Sequence, residues 1–240
     1  MKRGTTTVSN KKEVKITCPH CDAVSPFTVW LSVNTKDDPE LKQAVRDQSL
    51  FRFTCPYCGV TTMIDYGMLY HQPEEKVMIH YAITPENEKE VVGMLTDPEK
   101  NVPFRPLFEN NYLIRVVRSR NQLLEKLAEF DANFDDRMIE LYKLSLEEAF
   151  RKEHPESGDL QILFFNTENG EQMFQIIDGT ETKGVVPLNT SFYYTLLQRH
   201  GIEMGEMSKE TPIVNGDWAR TFLTTDPFRK NMRNIEDQIN

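Results

Sequence analysis

The chain has 240 residues, with 39% apolar and 27% charged side chains, which is typical of a folded globular protein and excludes general disorder. Its net charge of −9 is uneven, because residues 86–240 have 18 basic against 28 acidic side chains, and this acidic surplus repels the phosphate backbone of nucleic acids. The first residues lack the apolar core of a signal peptide, and no apolar run approaches the roughly 20 residues that span a bilayer, so we expect a cytoplasmic protein without membrane contact.

The first structural signals in the chain are two Cys-Pro-x-Cys motifs, each directly after a strand-like run. Their four cysteines are Cys18, Cys21, Cys55 and Cys58. The proline of each motif fixes φ and removes a backbone donor that competes within the turn. Gly59 follows the second motif and supplies a positive φ, and Asp22 takes the same place in the first. In a reducing compartment such pairs are typical of metal ligands, and four thiolates match the tetrahedral shell of one structural zinc ion.

Three other uses of four cysteines compete with structural zinc. A thioredoxin-like redox pair needs one motif at a strand-to-helix junction, whereas both motifs here precede strands. An iron–sulfur cluster also uses four cysteines, but paired proline knuckles are typical of zinc ribbons. A catalytic zinc ion requires an open position, which four thiolates do not leave. Because 33 residues separate Cys21 from Cys55, the ribbon must hold a sizeable insertion.

The insertion and the segment after the second motif contain further strand and helix signals. Residues 27–33 are rich in β-branched and aromatic side chains and predict a strand. A short helix is expected at 38–46, with proline at its first position. Two more strands are predicted at 61–66 and 76–83.

These residues resemble the CpXC domain family, which is named for paired Cys-Pro-x-Cys motifs. The segments that carry the resemblance are CPHC at 18–21, the strand at 27–33, DPELK at 38–42 and FTCPYCG at 53–59. The likeness covers residues 14 to about 84, including Leu69-Tyr70-His71, and continues more faintly through 115–143. The family is of unknown function, so the resemblance implies a metal-binding domain and no activity. Asp22, where the family usually has glycine, is the one departure at the site.

The C-terminal part mixes helix and strand signals. The expected elements are a helix at 84–95, a linker or ordered loop at 97–111, a strand at 112–118, helices at 119–131 and 135–153, strands at 160–166, 172–177 and 184–188, and a helix at 189–200. Thr84 and Ser119 are capping residues. Asn169-Gly170 predicts a hairpin turn, and Gly201 is expected to end the last helix.

Together these elements predict an α+β fold. An elaborated zinc ribbon, mostly β, is followed by an α+β domain with a helix hairpin and an antiparallel β-meander. The expected boundaries are 1–84 for the ribbon domain, 85–111 for a helix and linker, 112–223 for the α+β domain and 224–240 for a flexible tail.

Asp135–Arg137 form the densest polar cluster on a structured segment. Adjacent carboxylates beside an arginine are able to bind a cation or to belong to an active site. Acidic residues in the first turn of a helix also interact favourably with its dipole, and an arginine there pairs locally, so a structural role is favoured. His71 and His80 have no partner at ligand spacing, and a structural role is favoured for them as well.

The leading functional hypothesis is a zinc-binding, non-enzymatic protein-interaction or adaptor module whose partner is a protein. Two alternatives stay open. One is a hydrolase or transferase with its site near Asp135–Arg137, and the other is nucleic-acid binding by the ribbon. The second would use a basic N-terminal arm made of Lys2, Arg3, Lys11, Lys12 and Lys15. The acidic C-terminal half disfavours nucleic acid as a partner, and the sequence identifies no small-molecule ligand.

Overall fold

The computed structural model describes residues 8–206 and 211–225. These residues form two compact units. The first contains the described residues up to Leu124 together with residues 211–212, and the second contains the described residues from Glu125 onwards apart from those two. Helices and mixed sheets occur in the chain, so the predicted α+β class is confirmed. No helix in the described ranges is long and apolar enough to cross a membrane.

The first unit is built on a mixed five-stranded sheet. Its elements are β1 (Asn10–Thr17), β2 (Val24–Asn34), α1 (Glu40–Arg46), β3 (Arg52–Thr54), β4 (Thr61–Met63), β5 (Met68–Gln72), β6 (Val77–Tyr81), α2 (Pro85–Thr96), α3 (Arg105–Glu109) and β7 (Leu113–Val117). The sheet has the order β1-β2-β5-β6-β7, and β3 pairs with β4 in a separate two-stranded sheet. Val33, Tyr70 and Ile79 are fully buried side by side on neighbouring strands and form the centre of the core.

Strand β7 belongs to this sheet, and the chain therefore divides later than we expected. It runs parallel to β6, with Arg115 opposite Ile79, and the N–H of Ala82 donates to the carbonyl of Val117 at 2.9 Å. Parallel neighbours require a crossover of a dozen or more residues, and the segment with α2 and α3 supplies it. The strand that we expected to open a separate domain at residue 112 thus lies in the first unit. The expected ribbon boundary at residue 84 does not coincide with a division of the structure.

The second unit combines helices with an antiparallel three-stranded sheet. Its elements are α4 (Arg120–Asp131), which begins in the first unit, α5 (Asp136–Glu153), β8 (Leu160–Asn166), β9 (Gln172–Asp178), β10 (Glu181–Pro187), α6 (Thr190–Glu206) and α7 (Gly216–Thr225). Strand β9 lies between β8 and β10, which is the expected meander. In the core the rings of Tyr142 and Phe174 stack at 4.7 Å, and Met138 and Phe164 are buried in the same cluster.

Several elements differ from the sequence prediction. The sequence analysis does not predict β5, α3 or α7, and α3 falls in the segment expected to be a linker or loop. Helix α6 continues past Gly201 to Glu206, because Met204, one turn further on, is buried in the core and no positive φ interrupts the helix. From residue 226 onwards the expected tail lies outside the described residues.

Candidate metal centre

The two cysteine knuckles have the same backbone geometry. In the first, the N–H of Asp22 donates to the carbonyl of Cys18 at 3.0 Å, and the N–H of Cys18 donates to Ala23 at 2.9 Å. The second repeats the pattern, with Gly59 donating to the carbonyl of Cys55 at 2.9 Å. Asp22 and Gly59 have φ of 58° and 73°, so both leave the knuckle in the left-handed conformation that the sequence predicts.

These two turns bring the four sulfur atoms close together. The Sγ atoms of Cys18 and Cys58 lie 3.7 Å apart, and those of Cys21 and Cys55 also lie 3.7 Å apart. All four sulfurs are within 4.8 Å of one another. Ligands about 2.3 Å from a tetrahedral ion are separated by about 3.8 Å, so the sulfur positions fit a single four-coordinate metal.

Backbone amides and neighbouring thiols act on the acidity of the sulfurs. Burial raises the pKa of Cys55, but the N–H groups of Tyr57 and Cys58, with the neighbouring thiols, outweigh this effect and lower it to about 7. At Cys21 the N–H of Ala23 lowers the pKa, yet burial and the other three thiols raise it to about 12. The Cys55 thiolate therefore forms readily, and a bound cation would favour ionisation of Cys21 because it offsets the accumulating negative charge.

The cysteine cluster is attached to a small apolar core. Cys18 and Cys55 are each 1% exposed and are buried together with Phe53, and Ile16 and Phe27 pack against them. Cys21 and the neighbouring His20 are exposed to solvent. Two of the four cysteines thus connect the cluster to the apolar core, an arrangement that would suit a structural metal.

The family comparison covers this site. The chain matches the CpXC protein family over residues 16–143, just over half its length, including all four cysteines. It belongs to the CpXC family. The predicted resemblance is thus confirmed, and the CpXC match continues through β7 and α4 into α5. No curated protein and no solved structure matches the chain.

A groove of about 500 Å³ lies beside the second knuckle of this CpXC protein. It is lined by Ser25, Pro26, Phe27, Thr28, Trp30, Ser49, Leu50, Arg52, Phe53, Thr54 and Pro56. Strand β2 pairs with β1 along Val24–Ser32 but with β5 only at Ser32–Asn34. Strand β3 pairs with β4, and no β4 residue lines the groove. Within the described ranges, residues 24–31 of β2 therefore pair with a strand on one side only, and β3 pairs with β4 alone.

The polar cluster Asp135–Arg137 is engaged in local structure. Asp135 caps α5 by accepting a hydrogen bond from the N–H of Arg137 at 3.0 Å, and its carboxylate also pairs with the Arg137 guanidinium at 2.7 Å. The same guanidinium donates to the carbonyl of Met204 at 2.8 Å. Asp136 is 1% exposed and lies 3.3 Å from the ammonium of Lys126. These contacts give the cluster a structural role, because Asp135 caps α5 and Arg137 holds α6 through Met204.

The two histidines of the sheet lie apart from the cysteines. His71 is buried and its Nε2 lies 3.2 Å from the hydroxyl of Tyr112, and burial lowers its pKa. His80 is partly buried and burial lowers its pKa to about 4. Its Nε2 has no hydrogen-bond partner within residues 8–206 and 211–225. Neither joins a metal-binding group in the part of the chain that the structure describes.

Sequence analysis missed a second group with metal-ligand chemistry. Glu125, Glu129 and Glu140 each place a carboxylate oxygen within 4.8 Å of the others, and all three side chains are buried. They lie on α4 and α5 inside the CpXC match. A signal is present in the sequence, because Glu125 and Glu129 are four residues apart and share one face of a helix.

Proposed function

We propose that this CpXC protein binds one structural zinc ion through Cys18, Cys21, Cys55 and Cys58. The observation that carries the proposal is the pair of 3.7 Å sulfur–sulfur distances across the two knuckles, which fits ligands about 2.3 Å from a tetrahedral ion. Four thiolates leave no open coordination position, so the ion stabilises the fold and takes no substrate. In small zinc domains such binding contributes on the order of 10 kcal/mol, comparable to the whole stability of a domain.

Metal analysis of the purified protein tests the zinc proposal. We expect one zinc per chain, released when the thiols are modified. Cys55→Ser should abolish stoichiometric binding because three thiolates hold the ion less tightly. Tyr57→Ser is the matched control, since Tyr57 lies in the same knuckle, is 73% exposed and is not a ligand. A folded wild-type protein without zinc, or a Cys55→Ser variant with a full equivalent, would contradict the proposal.

Hydrogen exchange before and after zinc removal tests where the ion acts. All four ligands precede residue 59, so chelation should increase amide exchange in β2, β3 and β4. Amides of β8, β9 and α5 should exchange as before, because no ligand comes from the second unit. Equal increases in both units would show that they unfold as one and would contradict our proposal of separate folding domains.

The role we propose for the zinc-stabilised unit is non-enzymatic protein interaction. The partner is an extended segment of another protein that adds a strand in the groove between β2 and β3. Unpaired strand edges offer backbone donors and acceptors to such a segment. The lining contains Arg52 and no acidic residue, and the ammonium of Lys11 lies 5.0 Å from the centre of the Trp30 ring. The positive charges of Arg52 and Lys11 favour an acidic partner segment.

A peptide-binding experiment tests this role. A displayed library of acidic ten-residue peptides should yield binders that shift the amide signals of Phe27 and Thr28 in the zinc-loaded protein. Arg52→Glu should weaken binding at least about tenfold, because a charge reversal replaces attraction by repulsion. Lys36→Glu, an equal charge change at an exposed residue outside the groove, should not. The interaction role is contradicted if no peptide is enriched or if both variants behave alike.

The hydrolase or transferase alternative has less support. Its candidate residues, Asp135–Arg137, are engaged in a helix cap, an ion pair and a buried charge cluster. Such contacts explain why these residues are charged without any reaction.

A further inference from the structure

The buried face between α4 and α5 carries more negative than positive charge. Its four carboxylates are Glu125, Glu129, Asp136 and Glu140, and none is more than 3% exposed. Two ammonium groups, those of Lys126 and Lys143, lie among them. With every group ionised, the cluster has a charge of −2 in surroundings where an uncompensated charge is strongly unfavourable.

The two lysines leave part of this cluster without a partner. Lys126 Nζ lies 3.0 Å from Glu129 Oε2 and 3.4 Å from Glu140 Oε1. Lys143 Nζ lies 2.8 Å from Glu125 Oε1 and 3.1 Å from Glu140 Oε1. The second oxygens, Glu129 Oε1 and Glu140 Oε2, are buried and have no hydrogen-bond partner among the described residues. These oxygens belong to residues that are 0% and 2% exposed, and they are candidates for binding a further cation.

The spacing of the glutamates suits one metal ion. Each of Glu125, Glu129 and Glu140 offers an oxygen within 4.8 Å of the other two. Two oxygens on opposite sides of an octahedral ion, each about 2.1 Å from it, lie about 4.2 Å apart. Small side-chain movements therefore allow all three residues to reach the same ion.

A cavity in the second unit borders this cluster. Its volume is about 170 Å³, and Glu140 and Lys143 line it together with Glu147 and Arg220. The side chain of Arg220 is 52% exposed, so the cavity is close to solvent, and two members of the cluster form part of its wall.

We propose that Glu125, Glu129 and Glu140 bind one divalent cation that prefers oxygen ligands, such as Mn²⁺ or Mg²⁺. An ion of charge +2 neutralises the net charge of −2 that the six ionised side chains carry. It also supplies a partner to the two carboxylate oxygens that have none. Carboxylates are hard ligands, so this site selects a different metal from the cysteine cluster.

The competing arrangement is a cluster that holds protons in place of a metal. Burial raises the pKa of Glu129 well above its ordinary value, although the charge of Lys126 opposes this effect. A protonated Glu129 reduces the negative charge without any ion. The two arrangements differ in one measurable property, which is the uptake of a divalent cation.

Titration of the full-length, zinc-loaded protein with Mn²⁺ distinguishes them. Electron paramagnetic resonance should show one Mn²⁺ per chain, with a dissociation constant below about 1 mM. Bound Mn²⁺ should broaden the amide signal of Phe164, whose N–H donates to Glu125 Oε1 at 2.7 Å.

Matched variants locate the ion. Glu129→Gln keeps an oxygen acceptor for Lys126, and it should bind Mn²⁺ at least about tenfold more weakly. Glu148→Gln is the control, because Glu148 lies on α5 but its side chain is 72% exposed. Absence of Mn²⁺ binding by the wild type up to 1 mM, or binding without broadening at Phe164, overturns the proposal. If Glu129→Gln does not fold, the Phe164 signal of the wild type decides.

Discussion

Two residues with a left-handed backbone close the cysteine knuckles, and only one of them is glycine. Asp22 and Gly59 occupy equivalent places with φ of 58° and 73°. The left-handed region costs residues with a Cβ about 1–2 kcal/mol, and aspartate is among those that visit it most readily. The residue after each knuckle is therefore constrained by backbone conformation and not by contact with the metal.

Gly59→Ala should lower the free energy of unfolding by about 1 kcal/mol. A Cβ at Gly59 meets no atom within 4 Å, so the loss comes from the backbone conformation alone. Gly93→Ala is the control, since Gly93 lies within α2 and its Cβ position is equally open. That change should stabilise by up to about 1 kcal/mol. Urea unfolding of the zinc-loaded proteins measures the change in free energy for each variant. If both variants were stabilised, or both destabilised, the explanation would be contradicted.

His80 should make the protein sensitive to acid. Burial lowers its pKa from 6.5 to about 4, so the unfolded chain takes up a proton at a higher pH than the folded protein does. The neutral His80 ring makes its full contribution to the free energy of unfolding above pH 6.5. This contribution is lost as the pH falls through 4. At about 1.4 kcal/mol per pH unit, the loss between pH 7 and 4.5 is about 2 kcal/mol.

His80→Leu removes the titrating group and should lose about 2 kcal/mol less stability than wild type over this range. Urea midpoints of both proteins at pH 7 and 4.5 give the comparison. Any acid release of metal affects both proteins and cancels in the difference. Parallel pH profiles would show that the His80 ring is hydrated and titrates normally.

At the scale of elements, local signals predict the knuckles, the helix starts and the β-meander. Thr84 caps α2 by accepting a hydrogen bond from the N–H of Asn87, and the turn at Asn169-Gly170 joins β8 and β9. Each of these features depends on a few adjacent residues. They could be predicted because turn and cap chemistry is local.

Other elements depend on partners that are distant in sequence. Strand β5 is short and pairs in parallel with β2, thirty-seven positions away where Leu69 faces Ser32. Helix α6 passes Gly201 because burial of Met204 outweighs the glycine signal. The three-glutamate cluster combines the spacing of Glu125 and Glu129 on α4, which the sequence shows, with Glu140 on α5. Sequence alone could not supply β5, the full length of α6 or the meeting of the three glutamates, since each depends on tertiary packing.

Asp135→Ala should destabilise the second unit by about 3 kcal/mol. The change removes the cap of α5, worth about 1 kcal/mol, and leaves the guanidinium of Arg137, a 6% exposed residue, without its carboxylate. Asp135→Asn retains the capping oxygen and should lose less. The free energy of urea unfolding measures both. Equal and small effects of the two variants would mean that the pair is not a structural anchor.

For the whole molecule, charge is the property that bears on nucleic-acid binding. The net charge is −9, and residues 86–240 carry most of the acidic surplus. Of the basic arm expected at the N-terminus, Lys2 and Arg3 lie outside the described residues. Lys11, Lys12 and Lys15 lie on β1 and so belong to the sheet, not to an arm that precedes it.

Strand geometry separates these lysines. Side chains alternate between the two faces of a strand, so Lys11 and Lys15 share one face with Glu13 between them, and Lys12 points to the other. The Lys11 ammonium is further engaged with the Trp30 ring. Each phosphate contact contributes about 0.9 to the salt dependence of binding, so useful affinity needs several cations on one face. The described part of β1 does not provide them.

We therefore expect no binding of random single- or double-stranded oligonucleotides tighter than about 1 µM in 150 mM salt, as measured by fluorescence anisotropy. At this ionic strength charges act over about 8 Å, so the acidic surplus elsewhere does not itself prevent contact at β1, and the local lack of a basic face decides the outcome. The double variant Lys11→Glu, Lys15→Glu reverses the charge of the β1 face that carries two lysines. Lys183→Glu, a single charge reversal at an exposed residue of β10, is the control. Binding tighter than this limit, lost in the β1 variant and kept in the control, would contradict this expectation. It would replace the protein-interaction role with nucleic-acid recognition by the ribbon, because the affinity would then depend on the β1 lysines.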